Sequence, residues 1–343
     1  MAIIPVYTSM INKSNPFEKG VTKQQGIIKL IEEAIDTGQY QKDDVLPSAN
    51  KLSEEFGMSR LTVLSAYREL QSRGTISSFP GKGYFVTSER SGLQQKIFVL
   101  FDELNSFKED LYNSFLQSMG EDVFVDIYFH HFNKDHFKHL IIESIGNYTA
   151  YVIMPVGFKG ITETLDRIPQ NRLYILDQNN PELSKELPIV YQNFEKDTYN
   201  GLVAALDRLK KYDLLVLSHY EHFRKPAGIL NGFKRFCEDN HFAYEIEPAI
   251  RDRKIKKGEA YLVTEDRNLV HVALNAQKEK LLPGTDIGII AYNETEFRKV
   301  IGDGITTIST DFTQMGQNLA RLIKEQKKER IENPSALILR NSL

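Results

Sequence analysis

The chain has 343 residues, 41% hydrophobic and 26% charged, an ordinary globular composition long enough for two or three domains. Lys and Arg number 43 against 46 Asp and Glu, a formal charge of -3, which excludes a uniformly basic protein but permits a local basic face. A single cysteine, Cys237, excludes an internal disulfide framework, and no apolar stretch has the length needed to cross a bilayer.

The opening MAIIPVYTSMINKSN lacks a basic leader, a long apolar run and a small-residue cleavage site, so it does not read as a signal peptide, and a cytoplasmic location is expected. Thr22 is placed to cap a first helix through IIKLIEEAID to Gly38, with Ile27, Ile28, Ile31 and Ile35 at helical spacing. Ser48 caps a short helix from Ala49 to Phe56, and Gly57 supplies a turn. Ser59 caps a further helix that runs to Arg73 and stops at Gly74. Two short helices joined by such a turn form a helix-turn-helix, whose second helix can enter a DNA major groove. Its first residues, Ser59, Arg60, Leu61 and Thr62, would face DNA, while Val63, Leu64, Tyr67 and Leu70 would be buried. TISSFPGKGYFVT then reads as two short strands around a tight turn, a wing in which Gly81 lets the backbone approach a groove and Lys82 brings charge. From Leu46 to Arg90 the excess is only two positive charges, so pattern alone leaves a helical protein-interaction module open.

The polar SERSGLQQ reads as a linker, giving expected boundaries of 1–88 for a DNA-binding domain, 89–95 for the linker and 96–343 for an effector domain. Beyond it, KIFVLF, VDIYFHHF, AYVIMPV, RLYILD, LPIVYQN, DLLVLSH, EAYLVTE and DIGIIAY alternate with helical patterns. That alternation predicts an α/β fold with a doubly wound parallel sheet. Such sheets bind ligands at the carboxyl ends of their strands. Candidates there are Asp102, Glu103, Asp177, Gln178, Asn193, Glu265, Asp266 and Asn293, acids and amides that suit a polyhydroxylated ligand. HHFNKDHFKH places His131, Asp135 and His139 at helical steps, but a strand-to-helix junction with solvated histidines is the expected reading. KEQKKER, residues 324–330, reads as a solvated helix end, and Cys237 as a buried apolar residue.

LPSANKLSEEFGMSRLTVLSAYRELQSRGTISSFPGKGYFV resembles the winged helix-turn-helix of the GntR family. The likeness lies in its Leu-Pro-Ser start, its Ser-Arg-x-Thr-Val turn, its Ala-Tyr-x-x-Leu helix and its Gly-x-Gly-x-Phe-Val wing. This resemblance implies double-stranded operator DNA as a partner, a homodimer, and DNA contacts from Ser48, Asn50, Lys51, Ser59, Arg60, Leu61, Thr62, Gly81 and Lys82. Asn50 departs from the arginine that many members carry there.

ILNGFKRFCEDNHF, LLPGTDIGIIAYNETEF and GITTISTDFTQMGQNLARLI resemble segments of the LacI-type sensor, which is built like a periplasmic sugar-binding protein. This implies two lobes, with the chain crossing near Asn193, Asp311 and Asn333 and an effector held between them. Together the two likenesses give the arrangement of arabinose-repressor-type regulators. Of the strand-end candidates, the resemblance implies Glu103, Asp177, Glu265 and Asn293 as effector residues, with Arg224 or Lys225 replacing an arginine usual before the Gly-Phe pair, where Ile229 stands. Asn293 replaces the usual Asp, and Met154 stands where an amide is frequent.

The expected protein is thus a repressor of a sugar-utilisation operon controlled by a neutral pentose or 6-deoxyhexose, such as L-arabinose or L-fucose. A winged-helix regulator of a phosphorylated sugar or nucleobase is the alternative, and a sugar receptor without a DNA role a remote one. No cofactor or metal is expected. Neither PGKG nor IGDG has the context of a phosphate loop, and GxSxG and HExxH are absent, so no enzyme is expected either.

Overall fold

The computed structural model describes residues 22–87, 95–121, 123–219, 226–248 and 250–343. The head begins with α1 (Lys23–Asp36), which Thr22 and Gln25 close with a reciprocal capping box. Ser48 caps α2 (Ala49–Glu55) and Ser59 caps α3 (Arg60–Ser72), each accepting a backbone N–H. Isoleucines of α1, Leu52 of α2 and Val63, Tyr67 and Leu70 of α3 share one apolar core, with Leu64 partly buried against it. The buried Tyr67 hydroxyl donates to the Pro47 carbonyl at 2.6 Å, which ties α3 to the segment ahead of α2. The wing is an antiparallel pair, β1 (Ile76–Phe79) and β2 (Gly83–Val86), turning at Gly81 with φ 75.

Residues 88–94, which hold most of the expected linker, lie outside the described residues. The remainder forms two six-stranded sheets. The first has the order β13-β7-β6-β5-β3-β4 and is parallel throughout. It contains β3 (Gln95–Phe101), β4 (Val123–Phe129), β5 (Ala150–Ile153), β6 (Leu173–Asp177), β7 (Ile189–Tyr191) and β13 (Arg330–Glu332). Helices α4 (Ser106–Met119) and α5 (Lys134–Ser144) cover opposite faces, and a single-turn α6 (Thr162–Leu165) lies beside α5.

The second sheet has the order β14-β12-β11-β10-β8-β9, parallel except for β14. Its strands are β8 (Leu214–Ser218), β9 (Ala243–Glu247), β10 (Glu259–Val263), β11 (Gly288–Tyr292), β12 (Thr306–Thr310) and β14 (Ser335–Ile338). Helices α7 (Phe194–Ala204) and α9 (Ala227–Asp239) pack one face and α10 (Asp266–Lys278) the other, while a single-turn α8 (Leu206–Leu209) follows α7. Helix α11 (Phe312–Lys324) returns to the first lobe and packs on α4, where Phe107 stacks on Phe312 with centroids 4.8 Å apart. Strands buried on both faces explain why the central runs read as continuous apolar segments.

The chain crosses between lobes after β7, after β12 and after β13, next to Asn193, Asp311 and Asn333. The crossings are bonded to one another. Asn333 is 2% exposed and its amide donates to Thr310 Oγ1 at 3.1 Å and to the Asp311 carbonyl at 2.7 Å. The Asn193 amide donates to Glu332 Oε2 at 3.0 Å.

Two sequence expectations need correction. Eight apolar runs predict eight strands, yet β9, β12, β13 and β14 were missed. TTIST carries too many hydroxyls to read as an apolar run, SALI and β13 are only four and three residues long, and β9 is a partly exposed edge strand. The His130–His139 segment is the expected strand-to-helix junction, but His130 is fully buried rather than solvated.

Candidate functional site: an exposed helix end and an interlobe cleft

The head presents the residues expected to meet DNA on its surface. Ser48, Asn50, Lys51, Ser59, Arg60, Gly81 and Lys82 are exposed, Leu61 strongly so at 76%, and Thr62 is half-buried. The capping bond from Thr62 N–H to Ser59 Oγ, 3.1 Å, fixes the start of α3, so a positive helix end and the Arg60 guanidinium point away from the head's core. A leucine exposed at that helix start has no packing role in the head; it is available for apolar contact with a thymine methyl.

The interlobe cleft is built from strand ends and first helical turns. Asp177, the last residue of β6, is 8% exposed and sits at φ 77. Gln192 Nε2 donates to Asp177 Oδ1 at 2.5 Å, and Lys108 on α4 forms a buried ion pair with Asp102. Burial pushes the Asp177 carboxyl upward, with Lys108 opposing and Asp102 adding to the rise. Across the cleft, Tyr292 at the end of β11 is nearly fully buried; its hydroxyl is pushed far up by burial, then by the negative charges of Asp197 and Asp177. Within the second lobe, Tyr292 lies beside Phe194 of α7, ring centroids 6.4 Å apart.

Asp197 lies one turn into α7. Burial, helped by Glu332, raises its carboxyl to about 7. Among the described residues, Gln192 Oε1, Asp197 Oδ2 and Asn293 Oδ1 are buried without a hydrogen-bond partner. Leaving such groups unpaired costs about 1–3 kcal/mol each, so each calls for a water or another polar partner. Asn293 also holds φ 68, a left-handed conformation that asparagine adopts more readily than most side chains, and the chain turns there after β11. A cavity of about 360 Å³ opens at the crossings, lined by Asp110 and Phe312 of the first lobe, Glu294 and Thr295 of the second, and the crossing residues Asp311 and Pro334; Asp177, Gln192, Asp197 and Asn293 do not line it.

The sequence-chosen residues divide. Asp177 and Asn293 lie in the cluster. Asp102 is buried and held by Lys108 and by the Glu103 N–H at 2.7 Å, so it serves to fix the loop after β3. Asp266 is bound by the buried Arg298 guanidinium at 2.6 Å, whose other end donates to the Tyr292 carbonyl at 2.5 Å. Glu103 and Glu265 are exposed and Gln178 half-buried, at the carboxyl ends of β3, β10 and β6. Arg224 and Lys225 lie outside the described residues. Sequence reasoning overlooked Lys108, Gln192, Asp197, Arg298 and Thr295. For Asp197 a signal existed: it stands four residues after Asn193, hence one turn along from the same helix end.

His130 belongs to none of this. Its Nε2 meets the Met154 carbonyl at 3.1 Å, aromatic rings surround it, and burial lowers its pKa to about 4. Among the described residues no group of three His, Cys, Asp or Glu could hold a metal ion, and no helix is long and apolar enough to cross a membrane.

A GntR-type winged helix in front of a two-lobed α/β fold is the class that these parts define. The model of the family described as "Bacterial regulatory proteins, gntR family" matches residues 23–86. The uncharacterised HTH-type transcriptional regulator YjiR of Escherichia coli is 37% identical over 71 residues, 21% of this chain and 15% of YjiR. The mannosyl-D-glycerate transport/metabolism system repressor MngR of the same organism is 33% identical over 97 residues, 28% of this chain and 38% of MngR. The chain thus spans well under half the length of these relatives. The two-lobed part has the fold of LacI-family regulators. The trehalose repressor from Escherichia coli superposes with a TM-score of 0.59 at 17% identity, covering 71% of this chain and 100% of the repressor. A LacI family transcriptional regulator from Enterococcus faecalis with bound ribose gives 0.59 at 18% identity, covering 72% of this chain and 98% of that one. All four of these proteins are transcription regulators.

Proposed function

We propose that the chain is a sequence-specific DNA-binding transcription regulator of the cytoplasm, a homodimeric repressor of a sugar-utilisation operon, controlled by a small neutral sugar held between its lobes. The observation that carries this reading is one chain joining an exposed GntR-type α3 N-terminus to a LacI-type cleft with unpaired buried polar atoms on both sides. A single winged helix reads few base pairs, and two half-sites per dimer recover specificity. Ser48, Asn50, Lys51, Ser59, Thr62 and the wing residues Gly81 and Lys82 hold the backbone, while Arg60 and Leu61 read base edges.

The effector is a monosaccharide, a pentose or 6-deoxyhexose such as L-arabinose or L-fucose. Asp177, Gln192, Asp197 and Asn293 offer acceptors and an amide for ring hydroxyls. The buried cations Lys108 and Arg298 are already paired, with Asp102 and Asp266, which disfavours a phosphorylated ligand. That a regulator of the same fold holds ribose and another is a trehalose repressor supports a saccharide. A ligand that prefers one arrangement of the lobes shifts the heads, and operator DNA must in turn change ligand affinity by the same factor.

A thermal-shift screen of common sugars and sugar phosphates tests the ligand class. A ligand at 100 times its Kd stabilises by about 2.7 kcal/mol, enough to see. If only phosphorylated or nucleobase ligands raise the melting temperature, the neutral-sugar reading fails. For the head, Arg60→Ala is expected to cost about 1–3 kcal/mol of operator affinity and Lys82→Ala to flatten its salt dependence. Unchanged affinity of Arg60→Ala in a gel-shift titration sinks the DNA assignment.

A further inference from the structure

Arg172 stands immediately before β6, at the amino ends of the first lobe's strands and on the side away from the cleft. Its guanidinium reaches into the head. One nitrogen pairs with Glu69 of α3, and the other lies 3.3 Å from Ser72 Oγ of the same helix and 3.2 Å from the Tyr148 carbonyl of its own lobe. Glu69 also receives Arg73 Nε at 3.0 Å, and Arg73 reaches Glu32 of α1 at 2.8 Å. A chain of alternating charges, Glu32–Arg73–Glu69–Arg172, therefore runs from the head into the sensor. Arg172 and Glu69 are only 22% and 20% exposed, so water competes weakly for this pair. Burial would raise the Glu69 carboxyl, but Arg172 and then Arg73 hold it below its ordinary value.

We infer that Arg172 is a positioning residue for the head: its fork grips the carboxyl-terminal half of α3 and sets the angle at which the free amino-terminal half is presented. The grip leaves Ser59, Arg60 and Leu61 exposed, so it orients the DNA-facing end without covering it. It also has a route to the cleft. The Arg172 carbonyl accepts the Tyr151 N–H at 2.8 Å, which locks the residue to β5. Strand β6 is buried along its whole length and ends at Asp177, five residues and about 17 Å further on at the usual rise per residue. One stiff strand thus carries the clamp at one end and a cleft carboxylate at the other. In a dimer, heads held at a fixed angle lose less orientational freedom on meeting two half-sites than freely tethered heads do.

This inference rests on the DNA-binding reading, and the test separates the two. Spin labels at Glu54→Cys and Glu143→Cys, in a full-length Cys237→Ala background diluted with unlabelled chain, report the distance from head to first lobe by double electron–electron resonance. The parent is expected to show one narrow distribution, Arg172→Ala a broad one, and Arg172→Lys an intermediate one, because lysine restores the charge but not the fork. Arg172→Ala leaves the Glu69–Arg73–Glu32 network of the head intact, so the head stays folded. Affinity for operator fragments with two half-sites should fall about tenfold in Arg172→Ala, the loss expected for one charged hydrogen-bonded contact, while affinity for a single half-site stays unchanged. An unaltered distance distribution in Arg172→Ala, or an equal loss on both fragments, overturns the inference. If the parent binds neither fragment, the DNA reading has failed, and the distances still decide whether Arg172 holds the head.

Discussion

Asp197 shows how much chemistry a single buried side chain can hold. One of its oxygens has no partner among the described residues, and burial lifts its carboxyl from 3.8 to about 7. A raised native pKa means that the folded chain keeps this proton when the unfolded chain has lost it. The stability it contributes is full below pH 4 and is lost as pH rises through about 7. Asp197→Asn removes that slope. The variant should match the parent near pH 4 and exceed it at pH 8 by on the order of 1–3 kcal/mol, measured by calorimetry at both pH values. Parallel pH profiles of the two proteins would place Asp197 in water. His130 slopes the opposite way: its pKa is lowered from 6.5 to about 4, so its contribution is lost as pH falls through that window, which is why variant and parent are compared rather than the parent read alone.

At the scale of elements, two close approaches need glycine and one helix start needs its cap. A Cβ added at Gly232 on α9 would stand 2.3 Å from the Glu195 carbonyl oxygen and 2.9 Å from Thr198 Cβ on α7, and backbone cannot yield as a side-chain tip can. Gly232→Ala is expected to destabilise by about 1–3 kcal/mol, read as a lower urea midpoint with the slope unchanged. Gly316 makes the same kind of contact between α11 and α4, 2.4 Å from the Leu111 carbonyl oxygen, so the two lobes share one device for tight helix pairs. Ser59→Ala removes the cap of α3 and should cost about 1 kcal/mol of head stability. Because that cap also orders the DNA-facing turn, operator affinity should fall in the same variant, while the melting transition of the sensor stays where it was.

For the whole molecule, the three crossings form one joint because Asn333 bonds to residues on both sides of a second crossing. Its partners are a hydroxyl and a carbonyl in a place 2% exposed to solvent. Asn333→Ala strands them and is expected to cost about 1–3 kcal/mol. The lobes should then move more freely, so small-angle scattering would give a larger radius of gyration, and any sugar that shifts the parent should shift the variant less. A variant with the parent's stability and the parent's scattering curve would mean that the joint is held elsewhere.

Read from residue order alone, the head was nearly complete, because its signals are local: Thr22, Ser48 and Ser59 as caps, Gly57, Gly74 and Gly81 at turns, and apolar residues at helical spacing, all acting within a few positions of one another. The parallel sheet was legible for the same reason wherever a strand is apolar throughout, and Asn193, Asp311 and Asn333 were found as crossings through the family resemblance. What tertiary structure decided is which polar groups are left for a ligand. Asp102 and Asp266 look like Asp177 in the sequence, yet Lys108 and Arg298 engage the first two, and only the packing of α4 and of the loop after β11 brings those cations in. Asp197 acquires its shifted pKa from burial, helped by Glu332 135 positions away, and Arg172 meets Glu69 across 103. Pairing of charges over such separations costs nothing to write in a sequence and leaves no periodicity there, since it depends on two surfaces meeting rather than on spacing along one element.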